Sequence, residues 1–290
     1  MSTFEKTICR TFGLQGQKWL AALPTIIDEL KEQWALSDIA PVSNMSYHYV
    51  AKATRISGEP VVIKIGCDRQ LIQNEAFFLQ ANNSGKMVHL LDYNLELCAL
   101  LMTQAQPGTS IKEIYPQEIN TVMQTFANLT HGLHQYGQTG RYDYPHVSKW
   151  LEAIDHASLT PKTNKLFSIA KTKKNALLSS MGASKLLHGD LHLDNIIKQG
   201  KSWVCIDPKG LWGELEFEIA AFDIFAPSEV KTATNETFLS RIDCLAHLMH
   251  VQSERLKDWF FVRLALSAAW TIEDNGDPSN TLRLVSLIND

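Results

Sequence analysis

The segment Leu187-His-Gly-Asp-Leu-His-Leu-Asp-Asn195 sets an acid, Asp190, five residues before an amide, Asn195, and a second acid, Asp207, follows twelve residues later in Ile206-Asp-Pro208. Phosphoryl transfer from a nucleotide asks for one carboxylate to orient the attacking hydroxyl and take its proton. It also asks for an amide oxygen and a second carboxylate to hold Mg²⁺ against the phosphates. Asp190, Asn195 and Asp207 supply these groups in that order. Between the amide and the second acid, Ile196, Ile197 and residues 203–206 are β-type, so the stretch reads as a loop, a hairpin and a metal ligand. A polar surface turn before a hairpin is the lesser reading of the segment by itself, and the motif gains weight from its context.

That context lies upstream. Pro60-Val-Val-Ile-Lys-Ile65 is a short β-branched run in which Lys64 faces the opposite way from Val61, Ile63 and Ile65. Eleven residues on, Glu75 shares a helical face with Leu71, Ile72, Phe78 and Leu79. An acid on an apolar face needs a partner. A strand lysine directed at the α- and β-phosphates and held by a helix glutamate is the pairing found in nucleotide kinases. Taken alone, Lys64 is a solubilising edge-strand charge; the downstream loop turns the balance.

The ordered set Lys64, Glu75, His188-Gly-Asp190, Asn195 and Asp207 resembles the kinase-like phosphotransferases of small molecules, the aminoglycoside phosphotransferase and choline kinase group. Ile206-Asp-Pro-Lys-Gly-Leu-Trp-Gly-Glu214 and Leu266-Ser-Ala-Ala-Trp-Thr-Ile-Glu-Asp274 are similar to signatures of its streptomycin 6-phosphotransferase branch, the aminoglycoside and hydroxyurea resistance kinases. The likeness runs from about residue 50 to 274. It implies an α+β, bilobal protein-kinase-like fold, with a nucleotide-binding lobe over 1–104 and a catalytic and substrate-binding lobe over 105–290. The cofactors implied are ATP and Mg²⁺. Asp190 is then the catalytic base, Asn195 and Asp207 the metal ligands, and Lys64 and Glu75 the phosphate pair, with Met102 and Gln104 in the segment leaving the first lobe among the nucleotide-binding residues.

Two departures from the pattern bear on mechanism. Where protein kinases carry a glycine loop, this chain has Pro41-Val-Ser-Asn-Met-Ser-Tyr47. Ser43, Asn44 and Ser46 can offer backbone N–H groups and hydroxyls to phosphate, or form an ordinary hairpin turn. In place of D-F-G stands Asp207-Pro-Lys-Gly210, where proline stiffens the segment and argues against a phosphorylation switch. A protein kinase is further disfavoured by the lack of an A-P-E segment. A pseudokinase scaffold has no need of all of Lys64, Asp190, Asn195 and Asp207.

Acids after Asp207 point to a cationic acceptor. Glu214, Glu216, Glu218 and Asp223 follow within sixteen residues, and Glu273, Asp274 and Asp277 cluster at a helix end. Glu214 and Glu216 would equally stabilise a helix N-terminus, whereas Glu273 and Asp274 sit at a C-terminus, where acids are unfavourable. Trp270, one turn before Asp274, is an aromatic wall or a packing residue. The acceptor is expected to be an aminoglycoside-like polyol, with a cellular amino alcohol or sugar as the other reading. His188 is expected to anchor the loop by hydrogen bonds.

The elements that must position these residues can be read coarsely. A helix is predicted over 18–34, with Pro24 in a first turn or at a kink. Strands are expected at 39–42, 47–56, 61–65, 88–91 and 98–102 with one inserted helix, and helices follow at 116–134, 150–156, 165–180, 216–225, 236–251, 254–273 and 279–288. A length of 290 suits two lobes. A net charge of −4 gives no reason to expect nucleic acid, no apolar run is long enough for a membrane span, and no obligate protein partner is evident. Five cysteines without a C-x-x-C argue for reduced thiols in a cytosol.

Overall fold

The computed structural model describes residues 1–43, 45–82, 84–135, 142–157 and 161–289. The first helix, α1 (Thr3–Gln33), begins well before the predicted residue 18. Its start is fixed by a reciprocal cap: the Ser2 hydroxyl accepts from the Glu5 N–H at 3.2 Å, and the Glu5 carboxylate accepts from the Ser2 N–H at 2.7 Å. Pro24 lies inside the helix, and the kink is at Gly13 instead. Beyond it, Leu23, Leu30 and Trp34 close onto a sheet.

That sheet holds β1 (Leu36–Pro41), β2 (His48–Arg55), β3 (Pro60–Gly66), β4 (Leu90–Asn94) and β5 (Ala99–Thr103), with α2 (Arg69–Ala81) between β3 and β4. Its order is β1-β2-β3-β5-β4, every pair antiparallel, as the predicted five-stranded lobe requires. Side-chain alternation divides β3 between two cores. Val61, Ile63 and Ile65 pack under α1 with Ala51, Ala53 and Leu101. Val62, Leu100 and Met102 belong to the other core, beneath α2. Lys64 lies opposite Leu100 in register, so it sits on that second face.

The rest is mainly helical, but its short strands do the positioning. In chain order come β6 (Pro107–Ser110), α3 (Ile119–Gln135), α4 (Val147–His156), α5 (Pro161–Ser179), β7 (Lys185–Leu187), β8 (Ile196–Gln199), β9 (Ser202–Cys205), β10 (Leu211–Gly213), α6 (Leu215–Ile219), α7 (Asn235–Met249), α8 (Ser253–Glu273) and α9 (Ser279–Asn289). The β8–β9 hairpin is joined by β6, and β10 pairs with β7. Helix α8 is apolar nearly all round, burying Leu256, Trp259, Phe260, Phe261, Val262, Ala265, Leu266, Ala268 and Ala269, as befits a helix surrounded by others. It packs on α4, α5, α6, α7 and α9. None of the described helices is long and apolar enough to cross a membrane.

One predicted helix is cut short. Residues 220–225 do not continue α6, because tertiary contacts claim their polar groups: the Asp223 carboxylate accepts from the Leu193 N–H at 2.9 Å, and the Ile224 carbonyl accepts from Arg241 at 2.7 Å.

Leu30 is fully buried between α1 and the sheet. Leu30→Ala should lower stability by about 2–5 kcal/mol, the usual cost of emptying a leucine-sized site, measured as a shift in denaturant midpoint with an unchanged slope.

Candidate active site

Lys64 is the meeting point. Its ammonium lies 2.5 Å from Glu75 Oε2 and 2.5 Å from Asp207 Oδ1. Glu75 reaches it because α2 is pinned at its start, where the Asp68 carboxylate accepts from the Gln70 and Leu71 N–H groups, and because Ile72, Ala76, Phe78 and Leu79 bury its apolar face. Burial opposes the Lys64 ammonium, but Asp207 and Glu75 outweigh it and raise its proton affinity above the ordinary lysine value. His48, the first residue of β2, lies beside this cluster; burial and Lys64 push its imidazole down to about 3, so it is neutral.

Asp207 adopts φ 61°, a left-handed conformation uncommon for a non-glycine residue. It is over-determined by its neighbours. Lys209 places its ammonium 2.8 Å from Asp207 Oδ2, and its backbone N–H donates to the His188 carbonyl at 2.7 Å. Burial would raise the Asp207 carboxyl, yet Lys64 and Lys209 hold it well below the usual carboxylate range. Lys209 also comes within 3.8 Å of Asp190 Oδ2. Gly210 follows at φ 67°, where a Cβ would meet the Tyr144 ring at 2.6 Å, so only glycine lets the strand close.

The loop 188–195 is held from several sides. Glu218, wholly buried in α6, accepts from the His188 N–H at 2.5 Å and the Gly189 N–H at 3.1 Å. Gly189 has φ 86° and no room for a side chain against Leu211. Arg263 of α8 donates to the Gly189 carbonyl at 2.9 Å, and its guanidinium stands 3.6 Å from Asp190 Oδ1. His188 anchors the loop, as expected. Burial lowers its imidazole to about 4, so the ring is neutral; it donates from Nε2 to the Ile206 carbonyl at 2.9 Å and accepts at Nδ1 from the Asp190 N–H at 3.3 Å.

The hairpin register brings the proposed metal ligands together. Ile196 pairs with Cys205, and the Ile206 N–H donates to the Asn195 carbonyl at 3.0 Å, which sets Asp207 beside Asn195. The Asn195 amide nitrogen donates to the Asp190 carbonyl at 2.8 Å, leaving its amide oxygen for a cation. One amide oxygen and one carboxylate suit Mg²⁺, which takes few protein ligands and completes its shell with water and phosphate.

The other predicted residues divide. Ser43 and Ser46 are exposed in the β1–β2 turn, while Asn44 lies outside the described residues. Met102 is buried on the Lys64 face of the sheet, and Gln104, just past β5, donates its N–H to the Pro60 carbonyl at 3.3 Å. Glu214 does not face a substrate. Both its oxygens are taken by Arg255 at 2.7 Å each, and Trp259 Nε1 donates at 2.8 Å, so it is an internal tie between α6 and α8. Glu216, in the first turn of α6, is raised by burial and lies near Glu214, Arg255 and Lys185. Glu218 and Asp223 hold the loop from beneath. Trp270 is half-buried, edge-on to Trp150 at 5.3 Å, and Trp150 in turn carries the Arg263 guanidinium at 5.6 Å. Glu273 and Asp274 are exposed at the end of α8.

Four contributors escape a reading of motifs: His48, Lys209, Trp150 and Arg263. Arg263 left a signal, since a lone charge in the apolar run 259–266 must find a buried partner.

A strand lysine tied to a helix acid and to a metal-type aspartate, above a clamped Asp–Asn loop, defines the class as a kinase-like phosphotransferase. Solved structures agree on the fold: choline kinase LicA from Streptococcus pneumoniae superposes with a TM-score of 0.66 at 12% identity, covering 93% of this chain and 99% of that one, and LicA has also been solved in complex with AMP. The sequence profile of the aminoglycoside/hydroxyurea antibiotic resistance kinases matches residues 33–275, and the chain belongs to that family. It is thus a phosphotransferase with an alcohol group as acceptor. Streptomycin 6-kinase of Streptomyces glaucescens is 24% identical, over 91% of this chain and 88% of its own length. Hydroxyurea phosphotransferase of Kitasatospora aureofaciens is 22% identical, over 90% and 77%.

Glu218 carries a testable pH signature. Burial, only partly offset by the Gly189 and His188 N–H groups, raises its carboxyl from 4.5 to about 7. A raised carboxyl favours the folded state fully below the unfolded value, and that contribution is lost as pH rises through the folded one. Glu218→Gln keeps an acceptor oxygen without the charge. The melting-temperature difference between variant and parent should therefore move in favour of the variant between pH 5 and 8; a constant difference across that range would contradict the assignment.

Proposed function

We propose that the protein transfers the γ-phosphoryl group of ATP to a hydroxyl of a small, cationic polyol of the aminoglycoside type, in the manner of a streptomycin 6-kinase. The reading is carried by the convergence of Lys64, Asp207, Lys209 and Asp190, with Lys64 and Asp207 bonded at 2.5 Å across 143 positions of chain. Residues 1–104 then form the nucleotide-binding lobe, and 105–290 the catalytic and acceptor-binding lobe.

In this reading Lys64, steadied by Glu75, neutralises the α- and β-phosphates, and the β1–β2 turn with Ser43 and Ser46 covers them from the sheet. Met102 and Gln104 border the base. Mg²⁺, held by Asn195 and Asp207, would offset charge on the transferring phosphate. Asp190 accepts a hydrogen bond from the acceptor hydroxyl, whose oxygen forms the new bond to phosphorus as the bond to the ADP oxygen breaks; the proton passes to the Asp190 carboxylate. Lys209, shared between Asp190 and Asp207, adds positive charge on the side where charge is moving.

The acceptor is addressed by charge and length. Two cations flank Asp190, Arg263 at 3.6 Å and Lys209 at 3.8 Å. A cationic group is repelled there, so it must bind away from the reacting hydroxyl. Glu273 and Asp274 lie ten and eleven residues along α8 from Arg263, about 15 Å at 1.5 Å per residue, with Trp270 between. An acceptor several rings long spans that separation, and an amino alcohol does not.

A coupled ADP-release screen with streptomycin, other aminoglycosides, choline, ethanolamine, hydroxyurea and simple sugars should show turnover with the aminoglycosides; silence with tight nucleotide binding favours a pseudokinase. Asp190→Ala should lose about a hundredfold or more in kcat while nucleotide affinity holds, whereas Asp207→Ala should weaken Mg²⁺-dependent nucleotide binding as well. Asp190→Ala within about tenfold of the parent would overturn the assignment of roles. The double change Glu273→Gln with Asp274→Asn should raise the acceptor KM roughly tenfold to a hundredfold and leave the KM for ATP in place. An unchanged acceptor KM with a higher melting temperature would instead mark the two acids as an unfavourable helix end.

A further inference from the structure

Arg263 is costly where it stands. It occupies the middle of α8, a helix buried nearly all round, and is 8% exposed. Its Nη1 is buried without a hydrogen-bond partner among the described residues. Burying a cation and leaving one of its N–H groups unmatched opposes folding, and an aliphatic side chain would suit α8 better. Burial also lowers its own proton affinity. What the guanidinium does gain is local to the catalytic loop. Nη2 donates to the Gly189 carbonyl at 2.9 Å and stands 3.6 Å from Asp190 Oδ1. Its plane is confined by the Phe217 ring at 4.5 Å and the Trp150 ring at 5.6 Å, an arrangement that suits a flat, delocalised cation and not an ammonium.

The Gly189 peptide is therefore gripped at both ends: its N–H by Glu218 from α6, its carbonyl by Arg263 from α8. The next residue is Asp190, whose two carboxylate oxygens are flanked by different cations, Oδ1 by Arg263 and Oδ2 by Lys209. Lys209 is shared with Asp207, but Arg263 is not.

We propose that Arg263 is a positioning residue for Asp190: its guanidinium fixes the Gly189 carbonyl and Asp190 Oδ1 together, so that the carboxylate is held at the angle an acceptor hydroxyl needs. The proposal rests on Asp190 being the base, and the test separates the two. Arg263 touches neither reacting partner. Its loss should leave nucleotide binding intact and fall on kcat, since a misplacement of about 1 Å costs on the order of a hundredfold.

ADP release with ATP and streptomycin is measured for the parent, Asp190→Ala, Arg263→Ala and Arg263→Lys, with nucleotide affinity followed by fluorescence titration. Arg263→Ala should lose roughly a hundredfold in kcat with nucleotide affinity near that of the parent. Millimolar guanidinium should restore part of that turnover, and urea, of the same shape but uncharged, should not. Arg263→Lys keeps the charge in the core but lacks the planar fork that meets both acceptors; it should bind nucleotide normally and turn over about tenfold more slowly than the parent, a deficit of ~1.4 kcal/mol. The proposal is overturned if Arg263→Lys matches the parent in kcat, if urea rescues Arg263→Ala as well as guanidinium does, or if the loss in Arg263→Ala tracks a loss of nucleotide binding. Turnover retained by Asp190→Ala would remove the base assignment itself, and this proposal with it.

Discussion

A lysine ammonium enclosed between two carboxylates stays charged in a protein interior because its partners together outweigh the cost of desolvating it. Lys64 is in that position. Glu75 belongs to a helix beside it and Asp207 to a loop 143 residues away, so one buried charge joins the sheet, the inserted helix and the hairpin. Asp207 keeps a left-handed backbone with Lys64 on one carboxylate oxygen and Lys209 on the other, so its carboxylate is held from both sides.

The loop that carries Asp190 is organised by hydrogen bonds to its backbone and to its His188 ring. Glu218 and Asp223 receive backbone N–H groups, neutral His188 bridges the hairpin to the loop, and Arg263 closes the remaining carbonyl. Each is supplied by a different segment, so the geometry of a few atoms depends on the packing of α6 and α8. This accounts for acids that look like a substrate lining in the sequence. Glu214, Glu218 and Asp223 are close in sequence to Asp207 because the chain passes directly beneath the loop it supports.

Charge is divided along α8. Its middle presents a cation to Asp190, its next turns present Trp270 against Trp150, and its end presents two exposed acids. A helix is a rigid ruler, and these features therefore stand at set distances from Asp190. That spacing is the physical content of the acceptor preference argued above.

The sequence by itself determined the periodic elements and the local chemistry. Strand alternation placed Lys64 on the face opposite Val61, Ile63 and Ile65, the 3.6-residue period placed Glu75 on the buried face of α2, and the hairpin after Asn195 fixed the order of Asn195 and Asp207. Each of these follows from a repeat of two or 3.6 residues or from a turn, which short-range sterics and solvation enforce. The start of α1 at Ser2 and Glu5 escaped the sequence reading, which begins the helix at residue 18, although S-x-x-E is a local capping pattern. The tertiary structure alone decided the rest. It ended α6 at Ile219 because Asp223 and the Ile224 carbonyl have distant partners, turned Glu214 inward to Arg255 and Trp259, and recruited Lys209, Trp150 and Arg263 to the site. A long-range ion pair or a buried carboxylate has no period, and its partner is chosen only when the segments meet. For that reason the sequence showed where the acids stand, and packing decided whether each is exposed, ion-paired or bonded to a peptide N–H.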